Sequence, residues 1–100
     1  MESPLDYAVR KKRKLKEPED YQVVFLNDDW TPMDFVVSVL IDIFHKSNTE
    51  AEGIMMAIHK RGRGVAGIYP FDIAKTKAEQ VHVLAGANGH PLSCIVEKAF

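Results

Sequence analysis

With a single cysteine, Cys94, the chain can close no intramolecular disulfide and offers no cysteine-based zinc site. Long apolar runs are missing as well. Nothing approaches the ~20 residues of a membrane span, so no membrane partner is expected. The opening "MESPLDYAVRKKRKLK" has a basic cluster with no apolar stretch behind it, and it is not expected to act as a secretory signal. The two signs of charge nearly cancel. Thirteen Lys and Arg against 14 Asp and Glu leave a formal net charge of −1, which selects no class of partner. No segment repeats. Ser38, Ser47 and Ser93 lack the G-x-S-x-G turn of a hydrolase, so no nucleophile is marked by its surroundings. A cytoplasmic protein is the default expectation, one that calls for no cofactor.

What is present is the composition of an ordinary globular chain, 46% hydrophobic and 27% charged over 100 residues, enough for one small domain. It divides near residue 20. Residues 1–20 carry six basic and five acidic side chains, two prolines and only scattered apolar residues, with "RKKRKLK" (10–16) the densest charge run. Such a segment buries too little to offset its ordering entropy, so a flexible N-terminal extension is expected over 1–20 and a core domain over 21–100.

Within the core, "YQVVFLN" (21–27) is β-branched, aromatic and stopped by Asn-Asp-Asp, which predicts a strand. Thr31, Pro32 and Asp34 follow the pattern of a helix start, with Thr31 as cap and Asp34 closing a capping box. Met33, Val36, Val37, Leu40 and Phe44 recur at helical spacing up to an end near residues 45–48. A second box, Thr49 with Glu52, predicts a helix over 49–62, stopped by Gly62. "GVAGIY" (64–69) reads as a second strand. "FDIAKTKAEQVHVLAGANG" (71–89) reads as a third helix with Ile73, Ala74, Val81 and Leu84 inward, and "LSCIVEK" (92–98) as a third strand. The order β-α-α-β-α-β predicts an α+β fold. It would be a two-layer sandwich, a three-stranded antiparallel-type sheet with helices on one face.

Four features could carry function. Asn27, Asp28 and Asp29 end the first strand in three acceptor-rich side chains. They suit a polar turn before a helix N-terminus, or part of a metal or hydrolytic site with His59, though too few spaced ligands mark a cage. Met55 and His59 lie four apart on one helix face beside Ile58. They suit either plain core with a histidine at its rim or a soft apolar cavity with a titratable group at its mouth. "HKRGRG" (59–64) and the tail's basic run could meet nucleic-acid phosphates or simply be solvated.

Together these motifs resemble the ClpS family, bacterial adaptors that deliver N-degron substrates to a Clp AAA+ protease. "VVFLNDDWTPMDFVVSVL" (23–40), "MMAIHKRG" (55–62), "DIAKTKAEQV" (72–81) and "HPLSCIVEK" (90–98) carry the resemblance over residues 21–98. The resemblance implies a non-enzymatic, monomeric adaptor for proteins whose first residue is Leu, Phe, Tyr or Trp, with no nucleic-acid partner and no metal. Asn27, Asp29 and His59 would hold the free α-amino group, with Asp28 shaping the acidic rim. Phe25, Thr31, Met33, Val36, Met55, Ile58 and Leu92 would line the side-chain pocket, Met33 being the gate against β-branched residues. Asp72 and Lys77 would meet the N-terminal domain of a ClpA-type or ClpC-type unfoldase, and residues 1–20 would serve in delivery. Trp30 stands where the family most often has tyrosine, Pro70 where it has a helix-capping Thr or Ser, and Lys75 where it tends to Glu.

The residue types fit that ligand. An α-ammonium is three donors and no acceptor. It needs acceptors around it, and Asn27, Asp29 and a neutral His59 supply them next to an apolar wall.

Overall fold

A computed structural model of the chain describes residues 20–100. The expected N-terminal extension and its basic run, up to residue 19, lie outside the described residues. The elements run β1 (Asp20–Leu26), α1 (Met33–Asp42), α2 (Asn48–Arg61), β2 (Arg63–Pro70), α3 (Phe71–Ala87) and β3 (Ser93–Lys98). This is the β-α-α-β-α-β order expected. The first strand sits in the middle of the sheet, in the order β2-β1-β3, and both pairings are antiparallel.

A bulge between Val23 and Val24 shifts the β1–β2 register, so Val23 opposes Gly67 and Val24 opposes Val65. The helices cover one face. Val23, Phe25, Ala66 and Cys94 point into a core shared with Val36, Val39 and Leu40 of α1 and with Ala51 and Ile58 of α2. On α3 the buried residues are Ala74, Ala78, Val81 and Ala85, spaced four, three and four apart. These small side chains let the helix axis lie close to the sheet. On the open face Val24 lies between Val65 and Ile95. Arg63, opposite Leu26, reaches Glu97, opposite Gln22, so their ion pair crosses β1 diagonally over Val24, which is wholly buried.

Several local expectations are corrected. No capping box opens α1. Its N-cap is Pro32, without a side-chain bond, because the Thr31 hydroxyl is drawn back to Asp28 and Asp34 accepts only from the N–H of Phe35. That helix ends at Asp42, earlier than expected, and a left-handed His45 (φ 56°) turns the chain. Phe44 is still buried, edge-on to Phe25 at 5.4 Å between ring centroids. The capping box of α2 is Ser47 with Glu50, two residues before the expected pair. Ser47 Oγ accepts from the Glu50 N–H and the Glu50 carboxylate accepts from the Ser47 N–H. Ile73 is turned outward, 47% exposed, since the inward stripe of α3 passes through Ala74 and Ala78.

Lys77 has a structural task. Its Nζ donates to the Ile43 carbonyl at 2.7 Å and lies over the rings of Phe44 and Tyr69. It satisfies an orphan carbonyl at the end of α1 with a cation on the favoured side of the helix dipole.

Candidate functional site: a small acidic-mouthed cavity

The end of β1 and the end of α2 are tied together through one backbone bond. Gly62 takes a left-handed conformation (φ 85°) that a side chain would strain, and its carbonyl accepts from the Asn27 N–H at 3.0 Å. That contact sets Asn27 beside the last turn of α2, where His59 projects. Between β1 and α1, Asp28 builds the loop. Its Oδ1 accepts from the N–H groups of Trp30 (2.8 Å) and Thr31 (2.6 Å), and its Oδ2 accepts from the Thr31 hydroxyl (2.8 Å). Burial pushes the Asp28 carboxyl up, but the bonds from Thr31 and Trp30, with His90 nearby, outweigh this and hold it below its ordinary value.

A cavity of about 210 Å³ opens here, lined by Leu26, Asn27, Asp28, Asp29, Thr31, Met33, Val36, Met55, Ile58, His59 and Leu92. It is smaller than the roughly 300–1,000 Å³ typical of drug-sized ligand sites, and its volume suits about one side chain. The walls come from four places. Val36 and Met33 belong to α1, Met55 and Ile58 to α2, and Leu26 to the end of β1. Leu92 comes from the segment before β3, whose His90 ring meets Phe35 of α1 edge-on at 4.5 Å. Ile58 is held from behind by Gly64. A Cβ at position 64 would come within 2.8 Å of Ile58 Cγ1.

The polar side chains at the mouth divide into two kinds. Asp28 is fully engaged in its own loop. Among the described residues, the side chains of Asn27, Asp29 and His59 have no hydrogen-bond partner. Three acceptor-bearing groups thus stand ready beside an apolar hollow. Asp28 with Asp29 and His59 does not form a metal cluster; no three His, Cys, Asp or Glu residues are grouped for one among the described residues.

Every residue expected at the cavity lines it except one. Phe25 does not reach the cavity. It is wholly buried against Phe44, and its neighbour Leu26 takes the wall position. Strand alternation turns Phe25 into the core, and only the residue at the strand's last position can face the loop. Leu26 is the one lining residue that reading the sequence missed. Asp72 and Lys77 lie away from the cavity on α3. Asp72 is exposed in the first turn, whereas the Lys77 ammonium is held by Ile43. Pro70 is the N-cap of α3 and makes no side-chain bond; Tyr21 meets Phe71 edge-on at 5.0 Å and seats the helix start instead. In the basic loop, Arg63 is paired with Glu97 rather than presented alone. No helix among the described residues is long and apolar enough to cross a membrane.

Comparison with known proteins decides the family. The model of the family described as "ATP-dependent Clp protease adaptor protein ClpS" matches residues 16–95. The chain belongs to the ClpS family. Curated ClpS proteins named as ATP-dependent Clp protease adapters, from Burkholderia cenocepacia and Burkholderia mallei, are 53% identical to it over 90 residues. The match covers 90% of this chain and 86% of theirs. Among solved structures, Agrobacterium tumefaciens ClpS2 bound to L-phenylalaninamide superposes with a TM-score of 0.79 at 38% identity, over 82% of this chain and 99% of that one. The resemblance read from the four sequence motifs is therefore membership. The chain shares the ClpS fold, and the family's role is that of an adaptor for the ATP-dependent Clp protease.

Proposed function

We propose that this chain is a substrate-recognition adaptor that binds the free N-terminus of proteins beginning with Leu, Phe, Tyr or Trp and delivers them to a Clp AAA+ unfoldase–protease. The observation that carries the reading is the set of unengaged acceptors of Asn27, Asp29 and His59 beside a hollow sized for one side chain. The ligand of the Agrobacterium relative, L-phenylalaninamide, is a free α-amino group next to an aromatic side chain, the chemistry this pairing would take.

In this mechanism the α-ammonium donates to the Asn27 side-chain carbonyl, the Asp29 carboxylate and a His59 ring nitrogen. Hydrogen bonds to a charged group contribute about 1.5–3 kcal/mol each. The first side chain enters against Met33, Val36, Met55, Ile58 and Leu92, and its burial contributes a further ~1.5–3 kcal/mol. The two halves are of similar size, so neither suffices for tight binding alone. A lysine head group fails because its charge sits at the far end of the stem, away from the apolar part. Asp28 acts through the loop that it fixes. Met33, 45% exposed at the mouth, restricts the shape of what enters.

The adaptor has no catalysis of its own. It works as a monomer in the cytoplasm, with a ClpA-type or ClpC-type N-terminal domain as partner on the α3 side, where Asp72 is presented. Residues 1–20 serve in delivery.

Fluorescence anisotropy with C-terminally labelled peptides tests the binding half. Peptides starting with free Leu or Phe bind, and their N-acetylated copies do not. Equal binding of the two would remove the ammonium cage. For delivery, the full chain added to a Clp unfoldase–protease accelerates loss of a Leu-initiated reporter and leaves an acetylated one untouched.

A further inference from the structure

Trp30 is 76% exposed, an unusual setting for the largest apolar side chain in the protein. Its backbone is nonetheless fixed. Its own N–H is bonded to Asp28, and the next residue, Thr31, is bonded to the same carboxylate twice. Its two neighbours in sequence, Asp29 and Thr31, both line the cavity. A rigid frame thus holds the indole at the mouth, outside the hollow and in water.

We propose that the indole face of Trp30 reads the second residue of the bound polypeptide, favouring Arg or Lys there through a cation–π contact. The proposal rests on reading the cavity as an N-terminal amine site. With the α-ammonium against Asp29, the first Cα is held within a side chain's length of the loop, and Trp30 is the next residue along it. A hollow of about 210 Å³ is filled by the first side chain, so the second residue has to lie across the rim. The rim also carries the exposed carboxylate of Asp29, next to the indole in sequence. A cation over the ring is therefore favoured twice, by the ring quadrupole and by the local field, and an anion is opposed by the field.

The test uses the full chain and three labelled peptides that differ only at the second position, Leu-Arg, Leu-Ala and Leu-Glu. An exposed cation–π contact corresponds to about two- to fivefold in affinity. The Arg-to-Ala affinity ratio of the native protein should fall by that factor in Trp30→Ala and be largely kept in Trp30→Tyr, which retains an aromatic face. The part of the ratio that survives in Trp30→Ala is the field of the carboxylate and shrinks with added salt. A ratio unchanged by Trp30→Ala would overturn the proposal alone, as would an equal weakening of all three peptides, which would make Trp30 a shaper of the loop. Failure of every free-amine peptide to bind the native protein would overturn the amine-site reading and this proposal with it.

Discussion

Replacing Asp28 by alanine removes one side chain and three hydrogen bonds, from the N–H groups of Trp30 and Thr31 and from the Thr31 hydroxyl. Fully desolvated, bonds to a charge are worth about 1.5–3 kcal/mol each. The loop is partly open to water, and released N–H groups would bind solvent, so that sum is too large. A closer analogue is an N-cap aspartate, whose loss costs about 0.5–2 kcal/mol. With a hydroxyl bond added, Asp28→Ala should cost about 2 kcal/mol, or a fall in Tm of ~8–16 °C for a domain of this size. Asp28→Asn keeps an oxygen for the two N–H groups and loses the charge, so about half the effect is expected.

Urea unfolding followed by circular dichroism measures both variants, with the slope m unchanged. Asp29→Ala, whose side chain has no partner among the described residues, is the control and should be near neutral. An Asp28→Ala cost below ~0.5 kcal/mol, or equal to that of Asp29→Ala, would refute the reasoning, since such values are those of ordinary surface changes. Acid gives a second check. The folded-state Asp28 carboxyl is held below its ordinary 3.8, so its contribution is complete above that value and fades as the pH drops through the lower folded one. The gap between the native protein and Asp28→Asn should therefore close as the pH falls below 3.8, and it should not close on going alkaline.

Three further outcomes are expected. Met33→Ala widens the mouth and should admit Ile- and Val-initiated peptides; one branched methyl is worth only about 1–3 kcal/mol, so the native preference is partial, and an unchanged peptide panel would clear Met33 as gate. His59→Ala takes one acceptor from the bound ammonium and should weaken binding of Leu-initiated peptides by about tenfold or more. His59→Gln keeps an acceptor and should retain most of the affinity; an equal loss in both variants would show that His59 acts by shape rather than as an acceptor. Lys77→Met keeps the apolar stem but leaves the Ile43 carbonyl without its donor and removes the cation above Phe44 and Tyr69. It should cost about 1–2 kcal/mol in thermal unfolding, allowing for partial exposure, and a change within a few tenths would show that water replaces the ammonium without loss.

The sequence made the order of elements legible because each carries its own punctuation: Asn-Asp-Asp after β1, Gly62 after α2, Pro91 before β3. It misplaced cap residues where two patterns overlap. Ser47–Glu50 and Thr49–Glu52 both fit a capping box, and only the turn through left-handed His45 decides for the earlier one. Thr31 looked like a cap because nothing local shows that its hydroxyl prefers Asp28. Most of the cavity lining was legible through the family's motifs, and composition or spacing alone would have left it a turn beside a helix. Leu26 stands in the lining in place of the expected Phe25 because which of two adjacent strand residues faces the loop depends on how β1 sits against Phe44, a tertiary fact. Lys77 shows a limit of another kind. A surface-looking cation on an exposed helix turn is in fact used inside the fold.

Gly64 never touches the cavity, yet it governs how the cavity measures what enters. Its missing side chain leaves the space that Ile58 occupies, and any larger residue must displace that wall, within 2.8 Å of the new carbon. The depth of the hollow is therefore gauged from the sheet side by a strand position rather than by any residue facing the ligand. A designer seeking adaptors that accept only smaller first residues has an adjustment point at position 64, a residue that does not itself line the cavity.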